Sequence, residues 1–427
     1  MIERYCSSEM AAVWSDASKW RVWLAIEIAV LKARCMTFEG NEDMETAARE
    51  LGKLPPLNAQ DVARHEAILG HDVMAFIAAT LVDTGSPQVH QWLHYGLTSS
   101  DVVETGQAIL LRRANRLVMT AAREALEKVT DLSLAQLEQP YLGRTHGQSA
   151  EPTSLGLYFA DFAFAIQRSI TRLDMAAEQL QLAHISGPLG NYAQTSRNVE
   201  EYAARLLGLY TPTTATQVIR RDNLAHWAYC MANLATVCEA FALAVRLGSQ
   251  TMVNEMHEGY ANGRLGSSSM PHKQNPVSAE RICGQAKLVR SLVMPITEGI
   301  ALWDHRDISH SSVERVALPD LCALTEHILT STAKLAANLV IEGDQMEHTA
   351  KEHQGSASEM NFLIRNGYTR KKAYETAAER KDEFVVYCPP PATARVHEGL
   401  LEIQRSLASI ARAAAACRFD PTTGKVL

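Results

Sequence analysis

The chain has 427 residues, 47% hydrophobic and 21% charged, with a formal charge of −7 at pH 7. That length supports a well-buried core and more than one domain, and the acidic balance excludes broad attraction to nucleic acid. MIERYCSSEM at the start has no apolar signal core, no uninterrupted apolar run reaches membrane-spanning length, and the eight cysteines form no Cys-x-x-Cys pair. A cytoplasmic protein with reduced thiols and no membrane association is expected.

Helical patterns dominate from the start. The prolines at 55–56 mark a loop, and HYGLTSSD at 94–101 precedes a helix predicted over roughly 101–136. In that segment Asp101 reads as an N-cap with Glu104 as its capping-box partner. Thr98 and Ser99 would then lie just outside a helix N-terminus, either as spare hydroxyls or as an anion site. GRTHGQSAEPTS at 143–154 reads as a polar loop before a helix starting near Thr153. His146 lies there between two glycines, where an imidazole can reach a ligand. From Leu155 to Ile185, apolar residues such as Leu157, Phe159, Phe162, Ile166 and Leu173 fall mostly at helical spacing. From 224 to 247 neither Gly nor Pro occurs, so one unbroken helix is predicted.

GSSSMPHKQNP at 266–276 is a Gly/Ser loop carrying three hydroxyls, an imidazole, an ammonium and an amide between two prolines. Pro276 suits a first helical position, with Asn275 as cap and Glu280 one turn in, on a helix predicted over 276–303. Glu280 could orient a histidine elsewhere, though a surface loop before a capped helix also fits. WDHRDISHSSVER at 303–315 reads either as a capping box, Ser311 with Glu314, or as a hydroxyl and a guanidinium on one face, Ser311 with Arg315. The latter pair suits phosphate or carboxylate. A last long helix is predicted over 321–341. EFVVYC at 383–388 is the best strand candidate, and the prolines at 389–391 mark another loop. The long helices lack a regular heptad and have broad apolar faces, which suggests an all-α bundle buried on several sides by other subunits. No G-x-S-x-G elbow accompanies these serines, so a serine hydrolase is not supported.

Seven segments together resemble one family. GSSSMPHKQNP resembles the signature of the fumarase/aspartase superfamily. RYCSSEM, HDVMAF at 71–76, HYGLTSSD, GRTHGQSAEPTS, TQVIRRD at 216–222 and HRDISHSSVER are similar, in order, to the adenylosuccinate lyase family. The resemblance covers about residues 1–345. It implies an all-α, three-domain subunit with a central long-helix bundle: residues 1–97, 98–346, and a divergent 347–427. It implies a homotetramer with each active site shared between three subunits, and neither metal nor cofactor. The reaction implied is β-elimination of fumarate from adenylosuccinate, and from the related succinyl-carboxamide ribotide of purine synthesis.

By the same resemblance, Ser267 is the base, His146 the general acid, and Glu280 its paired carboxylate. Lys273, Asn275, Thr98 and Ser99 would hold the succinyl carboxylate. His71, Asp72 and His94 would line the pocket, and Gln217 would contact the substrate. Arg4, Tyr5, Ser311 and Arg315 would grip the phosphate, with Arg306 nearby. The sequence departs from the pattern at Gly70, where a basic residue is expected, and in the C-terminal stretch, which keeps only GYTRKKAY at 367–374. Those departures leave a lyase for another aminosuccinate adduct as the alternative. A non-catalytic protein on the same fold would have lost Ser267, His146 or Lys273, and all three are present.

Overall fold

The computed structural model describes residues 2–259, 269–270, 272–352, 356–379 and 392–416, which are mostly helical. After a short turn at Glu3–Tyr5 come α1 (Ser8–Val13), α2 (Asp16–Met36), α3 (Glu42–Leu51), α4 (Ala59–Leu69), α5 (Asp72–Val82) and α6 (Pro87–Trp92). The long α7 (Ser99–Ala135) leads into a hairpin, β1 (Pro140–Thr145) and β2 (Gln148–Ser154). Then follow α8 (Leu155–Glu178), α9 (Arg197–Leu207), α10 (Asp222–Gly248) and β3 (Met256–Glu258). The chain continues through α11 (Val277–Glu298), α12 (Ser309–Ala337), β4 (Leu339–Ile341), α13 (Gly343–Glu352), α14 (Ser356–Arg365), α15 (Arg370–Glu379) and α16 (Ala392–Ala416). The expected all-α class holds. The candidate strand at 383–388 and the prolines at 389–391 lie outside the described residues.

Several helices start where short polar side chains can take their first amides. Ser15 accepts from Ser18 N–H at 3.2 Å, Asn41 from Met44 N–H at 2.9 Å, and Ser196 from Val199 N–H at 3.3 Å. The long helices match expectation to within a few residues at most ends, with three differences. The helix expected over 155–185 stops at Glu178, because the chain turns extended there and Ala183 N–H bonds Tyr210 O at 2.8 Å. The helix expected from 321 begins instead at Ser309 and runs through Pro319. Burial of Leu318, Leu321 and Cys322 on that turn outweighs the one amide bond that proline forgoes. The polar loop at 143–154 is a β-hairpin. Thr145 pairs with Gln148, leaving His146 and Gly147 as a two-residue turn with φ of 56° and 72°. Two successive positive φ values match the tight turn whose twist suits a hairpin.

The chain divides into two compact units, residues 1–120, 171–233 and 287–327 in the first, and 121–170, 234–286 and 328–427 in the second. In the first, Trp20, Trp23 and Ile26 of α2 pack in one buried cluster with Phe76 of α5, Ile109 of α7 and Val199 of α9. Trp23 meets Phe76 edge to face at 5.6 Å. Gly106 inside α7 gives the indole its place, since a Cβ there would lie 2.9 Å from the ring. In the second unit, Phe241 of α10 packs against Phe159 and Phe162 of α8, each with centroids 5.8 Å away. The hairpin is tied down by Arg144, whose guanidinium donates two bonds to buried Glu255 at 2.8 and 2.6 Å.

Helix α10 is long and apolar enough to cross a membrane by composition, but 61% of its most apolar stretch is buried inside the protein. That is the burial of a core helix. The six cysteines among the described residues are free thiols.

Candidate active site

The first turn of α7 organises one end of the first unit. The helix begins at Ser99, so Asp101 lies inside its first turn and is not the N-cap expected from sequence. Its carboxylate reaches back instead, with Oδ2 accepting Thr98 N–H at 2.8 Å. Oδ1 accepts Gly187 N–H at 3.1 Å and lies 2.9 Å from Nδ1 of His184. That ring contact is an ion pair. Asp101 and His184 are both fully buried. Burial disfavours the imidazolium, but Asp101 prevails and holds the His184 pKa above its ordinary value.

Glu104, expected to complete a cap, faces the opposite task. It forms a two-pronged pair with Arg221, with Oε1 accepting Nη2–H at 2.7 Å, while Arg221 Nε–H donates to Glu314 at 2.8 Å. Glu314 also accepts Gln107 Nε2–H at 2.8 Å, which removes it from a capping box with Ser311. Burial would raise the Glu104 pKa, but the Arg221 guanidinium beside it depresses it, and the two carboxylates raise that of Arg221 in turn. This buried quartet forms part of the wall of a cavity of about 290 Å³. Trp14, Trp23, Arg306, His310, Ser311 and Arg315 line it further. Burial and then Arg221 push the His310 pKa down, so its imidazole is neutral at neutral pH.

Several residues expected in the site touch one another here. Asp72 accepts Arg315 Nη2–H at 2.6 Å, and Arg315 Nε–H donates to Ser311 Oγ at 3.4 Å, on the one helix face expected for that pair. His71 Nε2 is 3.4 Å from Ser99 Oγ. Gln217 Oε1 accepts Arg306 Nη1–H at 3.1 Å. Burial would raise the Asp72 pKa, but the Arg315 guanidinium overrides it and holds the carboxyl below its usual range. His94 has a φ of 62° and gives its N–H and its Nδ1 to Glu27, at 3.0 and 2.7 Å. Arg4 and Tyr5 form a short turn, with the Tyr5 ring against His327 at 5.1 Å, and neither lines the cavity.

His146, Lys273, Asn275 and Glu280 belong to the second unit. His146 is exposed at the hairpin tip, on a left-handed backbone. Lys273 and Glu280 are exposed, and Asn275 is half-buried one residue before Pro276. The helix begins at Val277, with Glu280 N–H on Pro276 O at 2.9 Å, close to the expected start. Ser267 lies outside the described residues. Among the described residues no three His, Cys, Asp or Glu side chains could together hold a metal ion. Sequence reasoning missed Arg221 and His184 as site-framing residues, although Arg221 lies inside the quoted TQVIRRD segment.

A family of lyases, described simply as "Lyase", matches residues 44–290. The solved structure of a fumarate lyase from Mesorhizobium sp. superposes with a TM-score of 0.79 at 20% identity, covering 97% of this chain and 93% of that one. A 3-carboxy-cis,cis-muconate lactonizing enzyme from Pseudomonas putida superposes with a TM-score of 0.75 at 21% identity, covering 95% and 90%. At these identities the structures establish the fold, that of the all-α fumarase/aspartase-like lyases. Sequence carries the assignment further. A Synechocystis adenylosuccinate lyase is 38% identical over 381 residues, 88% of this chain and 86% of its own. The Bacillus subtilis adenylosuccinate lyase is 34% identical over 390 residues, 90% and 88%. The chain belongs to the adenylosuccinate lyase family and is a lyase.

Proposed function

We propose that this enzyme eliminates fumarate from adenylosuccinate to give AMP, and from succinyl-aminoimidazole-carboxamide ribotide to give the carboxamide ribotide. The carrying observation is 38% identity, over most of both chains, to a protein named adenylosuccinate lyase. The contacts joining Asp72, Arg315 and Ser311, and His71 with Ser99, support a polar site for an anionic nucleotide. Incubation of purified protein with adenylosuccinate, followed for AMP and fumarate, tests the reading directly. Release of neither product would sink it.

In this reading Ser267 removes a proton from the succinyl carbon beside a carboxylate. The electron pair spreads into that carboxylate as an aci-carboxylate, and then expels the amine as the C–N bond breaks. His146, partnered by Glu280, protonates the departing nitrogen. Serine is a weak base in water, so exclusion of solvent and nearby positive charge must make it competent. Lys273, Asn275, Thr98 and Ser99 hold the carboxylate where negative charge accumulates. His71, Asp72, His94 and Gln217 line the substrate pocket. Arg4, Tyr5, Ser311 and Arg315 take the phosphate, with Arg306 close by. The enzyme is a cytoplasmic homotetramer whose sites draw on three subunits, each with domains at 1–97, 98–346 and 347–427.

One observation favours a second reading, a fumarate-releasing lyase for another aminosuccinate adduct. Gly70 caps α4 in the left-handed conformation, φ 62°, and presents no cation where the family pattern leads one to expect one. Its left-handed backbone suits glycine far better than a basic side chain. The same assay separates the readings if other aminosuccinates are supplied beside adenylosuccinate.

A further inference from the structure

The buried pair beneath the α7 N-terminus is the feature that the proposed reaction leaves unused. His184 lies in the extended stretch after α8. Its Nε2 is 3.1 Å from Thr216 O and 3.3 Å from Ser186 Oγ, and its Nδ1 is 2.9 Å from Asp101 Oδ1. The Thr216 carbonyl can only accept and the Asp101 carboxylate is an anion, so both favour the imidazolium, while the Ser186 hydroxyl can serve either form of the ring. Asp101 in turn holds Thr98 N–H and Gly187 N–H. The backbone that would meet the substrate carboxylate is therefore fixed by a carboxylate whose charge is unwelcome there. An anion bound at Thr98 and Ser99 would face the fully buried Asp101 carboxylate through one residue. Without a counter-charge that repulsion would oppose the helix N-terminus.

We propose that His184 is a positioning residue, whose imidazolium cancels the charge of Asp101 so that Thr98 and Ser99 can accept a substrate carboxylate. The other ionisable groups near the ring are Glu104 of α7, already matched by Arg221, and Glu200 of α9, which accepts Ile185 N–H at 2.9 Å. Neither competes for the ring nitrogens. Burial works against the imidazolium but Asp101 outweighs it, so the charge is held to higher pH than on a free imidazole. The inference rests on Thr98 and Ser99 binding the carboxylate end, and it is independent of which amine leaves.

The test is calorimetric binding of fumarate to the full-length enzyme between pH 6.5 and 9.5. Wild-type affinity should fall at the alkaline end. His184→Gln keeps a donor toward Asp101 but no charge, and should weaken fumarate binding on the order of tenfold at pH 7, with the alkaline fall abolished. Removing the carboxylate as well, in Asp101→Asn/His184→Gln, should restore affinity to within about threefold of wild type. A merely structural histidine would leave the double variant no better than the single one, and that result would overturn the proposal. So would undetectable binding of fumarate to the wild type, a measurement that needs no variant to fold. Fumarate release from adenylosuccinate, assayed alongside, separately decides the identity of the substrate.

Discussion

Arg315 has two claims on it, the Asp72 carboxylate at 2.6 Å and a substrate phosphate. If the second is real, Arg315→Ala should lower kcat/KM for adenylosuccinate on the order of a hundredfold, and far less for the dephosphorylated analogue. Equal losses with both would remove the phosphate role. Arg221 is different, since it satisfies two buried carboxylates. Arg221→Met should leave Glu104 and Glu314 buried without a counter-ion, and lower stability by roughly 3–5 kcal/mol in urea unfolding. The acid side of the stability curve carries the same pair. Glu104 has a folded pKa below its unfolded one, so its stabilisation is present above the unfolded value and lost as pH falls through the folded value. Asp72 adds to the loss in the same direction. The urea midpoint should therefore drop steadily as pH falls below the ordinary carboxylate range, and Arg221→Met should flatten that slope. His184 runs the other way: its pKa is raised, so its contribution is full below the unfolded value and is lost as pH rises through the folded value.

Between elements, one close approach of backbones in the second unit is at Gly156, where α8 begins against the end of α7. A Cβ there would lie 2.5 Å from Ser133 O and from Leu137 Cα, both backbone and neither able to yield. Gly156→Ala should cost about 1–3 kcal/mol through overpacking, readable as a shifted thermal midpoint with the circular dichroism spectrum unchanged. The elements themselves were legible to different degrees, for physical reasons. Helix α10 was plain because an apolar run without Gly or Pro has little choice but helix when it is buried. The hairpin was hidden, since its strands carry Pro, Gly and polar residues in place of an alternating pattern, and its turn takes positive φ at His146 and Gly147. A His-Gly pair between equal polar arms was the available signal. Asp101 and Glu104 sit three apart at a helix start, and local spacing assigned them to capping. Their partners are remote: Arg221 is 117 residues from Glu104, a separation that no window on the sequence spans. Arg315 and Ser311 were readable because their contact follows from helix geometry alone.

The whole molecule raises the question of what covers its long helices. Leu243 and Leu247, one turn apart on α10, are 45% and 51% exposed, and Leu288 and Met294 on α11 are 54% and 70%. Other subunits of the proposed tetramer would account for them. If the sites draw on several subunits, mixing inactive His146→Ala with inactive Ser267→Ala under subunit exchange should regain about a quarter of wild-type activity at most, since complementary halves meet only by chance. Continued inactivity after exchange is proven by mass would remove the shared site. Helix α10 has another consequence, during synthesis. Part of its apolar face is closed by Cys283 of α11, near Glu239 O at 4.0 Å, and by Thr332 of α12, beside the Cys238 thiol. Thr332 leaves the ribosome about 80 residues after α10 is complete, roughly 4–17 s later at ~5–20 residues per second. Through that interval the nascent chain displays a stretch that a signal-recognition factor cannot distinguish by hydropathy from a membrane anchor. A chaperone at the exit tunnel, or pairing with a neighbouring chain on the same messenger, would keep it from aggregation or misdelivery until its cover arrives.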